Sequence, residues 1–197
     1  MPSDLPLRCT CGKLRGSAAG VAPEIGNHVV CYCEDCQVFA AFLAHPGTTD
    51  EAGGTPIFQM PRMQIRITDG LDQVRCVRLS EQGMYRWYAD CCRTAIGNTL
   101  GAGMPFIGLI GACIDRPARE HDALLGSPVR IHARKARGKA PAGAHPKVPV
   151  SFMLRAAPKF AKWLLLRQGT PSPFFDAKGA PHVAPQILGK AERDALR

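Results

Sequence analysis

Three cysteines fall within six residues in the stretch Cys31-Tyr32-Cys33-Glu34-Asp35-Cys36. A C-x-C pair in extended backbone sends both side chains to one face, because strand side chains repeat every two residues. The C-x-x-C step that follows is a turn spacing that folds a third thiol back toward the first two. Three converging thiolates match three corners of a tetrahedral zinc site. A fourth corner left to water or substrate makes such a site reactive as well as structural. The competing reading is three buried or free cysteines that bind nothing, and the ligand spacing argues against it.

A second C-x-C lies upstream in Cys9-Thr10-Cys11-Gly12, where Gly12 permits a sharp turn and a close backbone approach to a metal. Cys91 and Cys92 form a third group, while Cys76 and Cys113 stand alone in apolar runs and read as small core residues. The total of nine cysteines is odd, and disulfides between cysteines two apart are geometrically poor. The N-terminus shows no basic segment leading into an apolar run, and no apolar stretch is long enough to span a membrane. Together these features point to a reducing cytoplasm and thiolate metal ligands rather than a disulfide framework.

The formal charge of +9 counts every cysteine as neutral. Seven thiolates holding two Zn²⁺ would lower it by about three units, and the chain stays basic. Charge of this sign favours anionic partners without choosing among them. The basic run with Arg130, Arg134, Lys135, Arg137, Lys139 and Lys147 has no interleaved aromatics for stacking on bases, so specific nucleic-acid binding is not expected.

The elements that must position the cysteines read mostly as short strands. His28-Val29-Val30 leads into the central cluster, and residues 37–43 suit one or two helical turns with Phe39, Phe42 and Leu43 inward. Residues 57–60, 63–68, 74–79 and 84–88 read as strands from their alternation and aromatic content, separated by glycine-containing turns. The last of these runs straight into Ala89-Asp90-Cys91-Cys92. Such a pattern predicts a small β core clamped by metal. Residues 106–114 read as a strand or short helix, and 116–125 as a short helix ending at Gly126. His121 and His132 lack ligand spacing and read as surface histidines. Residues 150–168 form the clearest amphipathic helix, which Pro158 is expected to kink or restart. Its basic, apolar-striped face suits packing on its own domain or a second subunit, with a membrane surface as the alternative. The proline-rich tail beyond it should be anchored by Phe174 and Phe175.

The order C-x-C-G, then C-x-C-x-x-C, then strands ending in a cysteine knuckle resembles the GFA domain over residues 7–113. That family includes glutathione-dependent formaldehyde-activating enzyme and centromere protein V. The resemblance implies a β-tent of small antiparallel sheets. It also implies a structural zinc on Cys9, Cys11 and a late knuckle, and a second zinc on Cys31, Cys33 and Cys36 whose open position could take glutathione. The late knuckle departs from the family pattern. Aligning Cys92 with the second cysteine of a C-x-x-C-G step puts Ala89 where the first ligand belongs and Arg93 where glycine is usual. Cys91 can replace the missing ligand only through a bulge or turn, because neighbouring strand residues face opposite ways. Three outcomes stay open: both Cys91 and Cys92 bind, Cys92 binds beside a non-cysteine or water ligand, or the site is metal-poor. Tyr32 stands where many relatives have histidine.

The expectation is therefore a mainly β, α+β chain. Residues 1–128 form a zinc-clamped β-tent, 129–149 a basic connector, and 150–197 a C-terminal extension carrying the amphipathic helix. The expected metal ligands are Cys9, Cys11, Cys31, Cys33, Cys36, Cys91 and Cys92, with two Zn²⁺ and a small thiol or thiol adduct as partner. A homo-oligomer is compatible with the extension. By resemblance, the function is that of a carbon–sulfur lyase of the S-(hydroxymethyl)glutathione synthase type. No acid or base is evident, since Glu34 and Asp35 read as outward turn residues. The alternatives are a non-catalytic zinc-stabilised binding module and a thiol redox or metal sensor.

Overall fold

The structure is a computed structural model that describes residues 2–197. In chain order the elements are β1 (Ser3–Arg8), β2 (Arg15–Val21), β3 (Asn27–Cys31), α1 (Glu34–Leu43), β4 (Thr55–Pro61), β5 (Ile65–Asp69), β6 (Val74–Arg78), β7 (Tyr85–Ala89), β8 (Thr94–Thr99), β9 (Phe106–Ile110), α2 (His121–Leu125), β10 (Val129–Ile131), α3 (Val150–Leu165), β11 (Gln186–Ile187) and α4 (Lys190–Ala195). The chain is mainly β with a minority of helix, as the alternation of its apolar residues predicts.

Two sheets carry the fold. The smaller is antiparallel, in the order β1-β2-β5. The larger has the order β10-β3-β4-β9-β8-β7-β6-β11. It is antiparallel through its middle, and only the outermost strands β10 and β11 join it in parallel. It is thus wider than the small antiparallel sheets expected, because later segments add strands to both of its edges.

Strand alternation gives the large sheet two buried faces. Phe58, Trp87, Ile96, Ile107 and Leu109 point to one side and pack with Leu5, Leu7, Leu14 and Ile65 of the small sheet and its turn. Ile57, Tyr88, Ala95 and Ile110 point to the other and pack with Val38, Phe39 and Leu43 of α1 and with Phe152 and Ala156 of α3. The glycine- and alanine-rich β2 carries little strand signal in its sequence. Its small residues are what allow close pairing, since a Cβ at Gly16 would lie 2.1 Å from the Arg66 carbonyl oxygen.

Residues 129–197 pack directly on this framework. β10 pairs with β3 and β11 with β6. Phe174 and Phe175 are buried against Trp87, at centroid distances of 4.9 and 5.5 Å. Arg62 is fully buried and ties the tail down. It donates to the carbonyls of Gly101, Ala102, Met104 and Gly169 and lies over the Phe175 ring. The helix α3 runs on through Pro158 as one element, so it is not restarted there. Its inner side is held by Phe160 and Trp163, which pack on each other at 5.0 Å and on Phe106 at 4.8 and 6.3 Å. That packing offsets the hydrogen bond an interior proline removes. His121 is buried and bonded to the Arg116 carbonyl, which corrects its reading as a surface residue. Its helix turns the ring under Gly111, a contact that ligand spacing could not reveal. Among the described residues, no helix is long and apolar enough to cross a membrane.

Candidate metal centres

The seven cysteines singled out by spacing gather into two groups, Cys9/Cys11/Cys91/Cys92 and Cys31/Cys33/Cys36, each with sulfurs within 4.8 Å of one another. Cys76 and Cys113 are buried apart from both.

The first group joins the two sheets. The β1–β2 turn brings Cys9 and Cys11, and the turn between β7 and β8 brings Cys91 and Cys92. Sulfur separations are 3.5 Å for Cys9–Cys11, 3.7 Å for Cys9–Cys91, 3.3 Å for Cys11–Cys91 and 3.9 Å for Cys91–Cys92. Four thiolates about 2.3 Å from a tetrahedral zinc sit about 3.8 Å from each other, so the cluster has the dimensions of a closed site. The conflict posed by adjacent cysteines disappears because both lie in the turn, beyond the end of β7. The Leu14 N–H donates to Cys9 Sγ at 3.2 Å.

Arg93 supplies the left-handed turn residue, at φ +60°, where the resemblance led to an expectation of glycine. That conformation costs a non-glycine residue about 1 kcal/mol. Offsetting interactions come from its guanidinium, which lies over the rings of Phe42 and Tyr88 at 4.4 and 4.7 Å and donates to the Phe42 carbonyl at 3.0 Å. Around the cluster, Thr94 Oγ1 lies 3.1 Å from Cys92 Sγ and 2.8 Å from Thr10 Oγ1, which in turn meets His45 Nε2 at 2.6 Å. Burial pushes the Cys92 thiol up, but the Thr94 hydroxyl and nearby backbone outweigh it and bring it down to about 6. Thr94 and His45 carried no ligand spacing, and only the tertiary fold brings them here.

The second group sits on the opposite face of the large sheet. Cys31 ends β3, Cys33 is the extended N-cap of α1, and Cys36 lies in its first turn. The helix entry folds the third thiol back onto the first two, as the C-x-x-C step predicts. Cys31 and Cys36 are buried and Cys33 is half-buried. The Cys31 thiol is raised, chiefly by its hydrogen bond to Cys33. Cys33 is held well below the usual thiol range by hydrogen bonds from Cys31 and Cys36, with a further contribution from the Arg86 charge.

A cavity of about 180 Å³ opens directly over these three sulfurs. Asp35, Gln59, Arg86 and Asn98 also line it. Tyr32, between the first two cysteines, is fully buried and points away, donating its hydroxyl to Asp50 at 2.9 Å. A Cβ at Gly54 would lie 2.5 Å from its ring, so the glycine makes room for it. Glu34 and Asp35 are not free turn residues. Glu34 pairs with Lys135 and Arg197, and Asp35 pairs with Arg193 at 2.8 Å and with Arg86 at 3.8 Å. Arg193 and Arg197 belong to the extreme C-terminal segment, which therefore packs beside the three-cysteine group.

Residues 1–185 match the model of a family described as a family of unknown function, DUF6151. No curated protein matches the chain.

Proposed function

The chain belongs to DUF6151, and from the chemistry of its two thiol clusters we propose that it is a zinc protein whose second site binds a thiol or thiol adduct. The observation that carries this reading is the contrast between the clusters. Four sulfurs surround one point in the first, whereas three line the floor of a cavity in the second. The first is read as structural, joining the small sheet to the β7–β8 turn. The second has a ligand position directed at space that a small molecule can enter. Soft thiolate ligands and tetrahedral dimensions favour zinc. The resemblance of the cysteine order to the GFA domain supports the same assignment.

Zinc held by Cys31, Cys33 and Cys36 would stabilise an incoming thiol in its thiolate form. The chain's own contribution is positional. Val29, Ile57 and Phe106 give the cavity apolar walls that limit water, and Arg86 places a positive charge beside the thiolates. The matching reaction class is addition of a thiol to an aldehyde, or its reverse. A carbon–sulfur bond forms, the carbonyl π bond breaks, and the thiol proton ends on the carbonyl oxygen. An all-thiolate site is electron-rich and a weak Lewis acid, so it suits thiol binding better than water activation.

Elemental analysis of protein purified without added metal or chelator tests the reading. About two zinc ions per chain are expected, falling to about one in Cys33→Ser with the fold retained. Glutathione and formaldehyde should then turn over with the wild type and not with Cys33→Ser. A wild type without zinc, or with a second metal that no thiol perturbs, overturns the proposal.

A further inference from the structure

Resting on that reading of the second site, we propose that its thiol ligand also carries a carboxylate, and that Arg86 and Asn98 hold the carboxylate. The basis is a row of residues across the large sheet. Gln59 on β4 pairs with Gly108 on β9, Gly108 with Asn98 on β8, and Asn98 with Arg86 on β7. All four line the cavity over the three cysteines. In the middle of the row Gly108 contributes no side chain, and the place a Cβ would take there is filled by Ile57, whose Cγ2 would lie 2.8 Å from it and which forms an apolar wall between the polar groups on either side.

The polar groups of this row are underused. Arg86 is only 2 % exposed. Its Nη1 lies 3.5 Å from Asn98 Oδ1 and its Nη2 3.8 Å from Asp35 Oδ2, both long contacts. Asp35 makes its shorter bond to Arg193. Arg86 Nε and Gln59 Oε1 are buried and have no partner among the described residues. A buried guanidinium whose one carboxylate neighbour, Asp35, stands 3.8 Å away and bonds more closely to Arg193 is costly unless something completes its hydrogen bonds. A carboxylate matches its planar fork in a two-bond geometry. Gln59 Oε1 is placed to accept from an N–H or O–H group on the same ligand. The cavity corresponds to about six water volumes, so the ligand, or the part of it that enters, is small.

The alternative is that Arg86 serves only the cluster, offsetting the excess negative charge of three thiolates on one divalent ion. The two roles separate in a binding experiment that does not depend on turnover. Full-length protein is loaded with Co²⁺, and the sulfur-to-cobalt absorption bands are followed during titration with mercaptoacetate or with 2-mercaptoethanol at equal thiolate concentration. Mercaptoacetate should bind on the order of tenfold more tightly or better. In Arg86→Gln the ratio of the two affinities should collapse toward one, and Arg86→Lys should restore part of it. Equal affinities in the wild type overturn the proposal without any variant, and leave the thiol-binding reading standing. Both thiols weakened alike in Arg86→Gln, with their ratio kept, assign Arg86 to the cluster's charge and also overturn it. If neither thiol changes the cobalt bands, the thiol-binding reading fails and this proposal falls with it.

Discussion

The sulfurs of Cys11 and Cys91 lie 3.3 Å apart although 80 residues separate them in the chain. This contact links the β1–β2 turn to the β7–β8 turn, and so links the two sheets. Cys91→Ser should therefore behave as a loss of the closed site. The expected result is about one metal ion fewer per chain and a lower thermal midpoint, because metal binding contributes directly to folding stability. Cys76→Ser and Cys113→Ser should keep the full metal content. Elemental analysis of the three variants checks this, and unchanged metal in Cys91→Ser would restore the alternative of a non-cysteine ligand.

Position 93 separates backbone strain from side-chain contact. Arg93→Ala loses the stacking on Phe42 and Tyr88 while keeping the left-handed strain. Arg93→Gly loses the same contacts but relieves the strain. The glycine variant should be more stable than the alanine variant by about 1 kcal/mol. Urea unfolding of the metal-loaded pair measures the difference, and an alanine variant as stable as the glycine one would remove strain from the account.

Arg62 has no carboxylate partner among the described residues, and burial lowers its pKa to about 10. It stays protonated at neutral pH and spends its donors on four backbone carbonyls. Arg62→Met leaves those carbonyls unpaired and should cost about 3 kcal/mol or more. Arg62→Lys should not rescue it, since one ammonium cannot reach the same fork of acceptors. Limited proteolysis should cut first in the segment after α3, where Gly169 loses its tie to Arg62. Cleavage rates equal to wild type would refute the tethering role.

His28 gives a pH dependence with a definite sign. Its ring is buried and its Nδ1–H donates to the Gly126 carbonyl at 2.6 Å. Desolvation by burial lowers its pKa from the ordinary value of 6.5. The unfolded chain therefore takes up the proton first as pH falls. The stability contributed by neutral His28 is complete above the unfolded value near 6.5 and is lost as pH drops through the lower folded value. The stability gap between wild type and His28→Gln should narrow from pH 7.5 to pH 5, read by denaturant midpoints at each pH. Comparing the two proteins cancels the acid loss of metal they share. A constant gap would mean that His28 does not titrate differently on folding.

The second cysteine cluster was legible in the sequence because its information is local. C-x-C and C-x-x-C spacings, an N-cap and a helical turn lie within six residues, and backbone geometry converts that spacing into convergence. The central strands were legible for a similar reason, through alternation in residues 57–88. The strands β1 and β2 were not, because Gly16, Ala18 and their neighbours in β2 carry little propensity and become strand only by pairing with β1 on one side and β5 on the other. The helix over 150–168 was legible from its apolar stripe, but whether Pro158 kinks or restarts it was not, since the aromatic packing that sustains one helix comes from Phe106.

By itself the sequence determined the ligand chemistry, namely which thiols could bind metal and that three of them share one local turn. Tertiary structure decided what the late knuckle meets, because Cys91 and Cys92 gather with Cys9 and Cys11 only through the turn at Arg93. It also decided what surrounds the three-thiol site. Gln59, Gly108, Asn98 and Arg86 are scattered over some fifty positions and meet only through strand register. The physical reason is the same in both cases. Short-range spacing fixes side-chain direction within one element, whereas a cavity is built by pairing between elements, and that pairing is set by burial of the whole core.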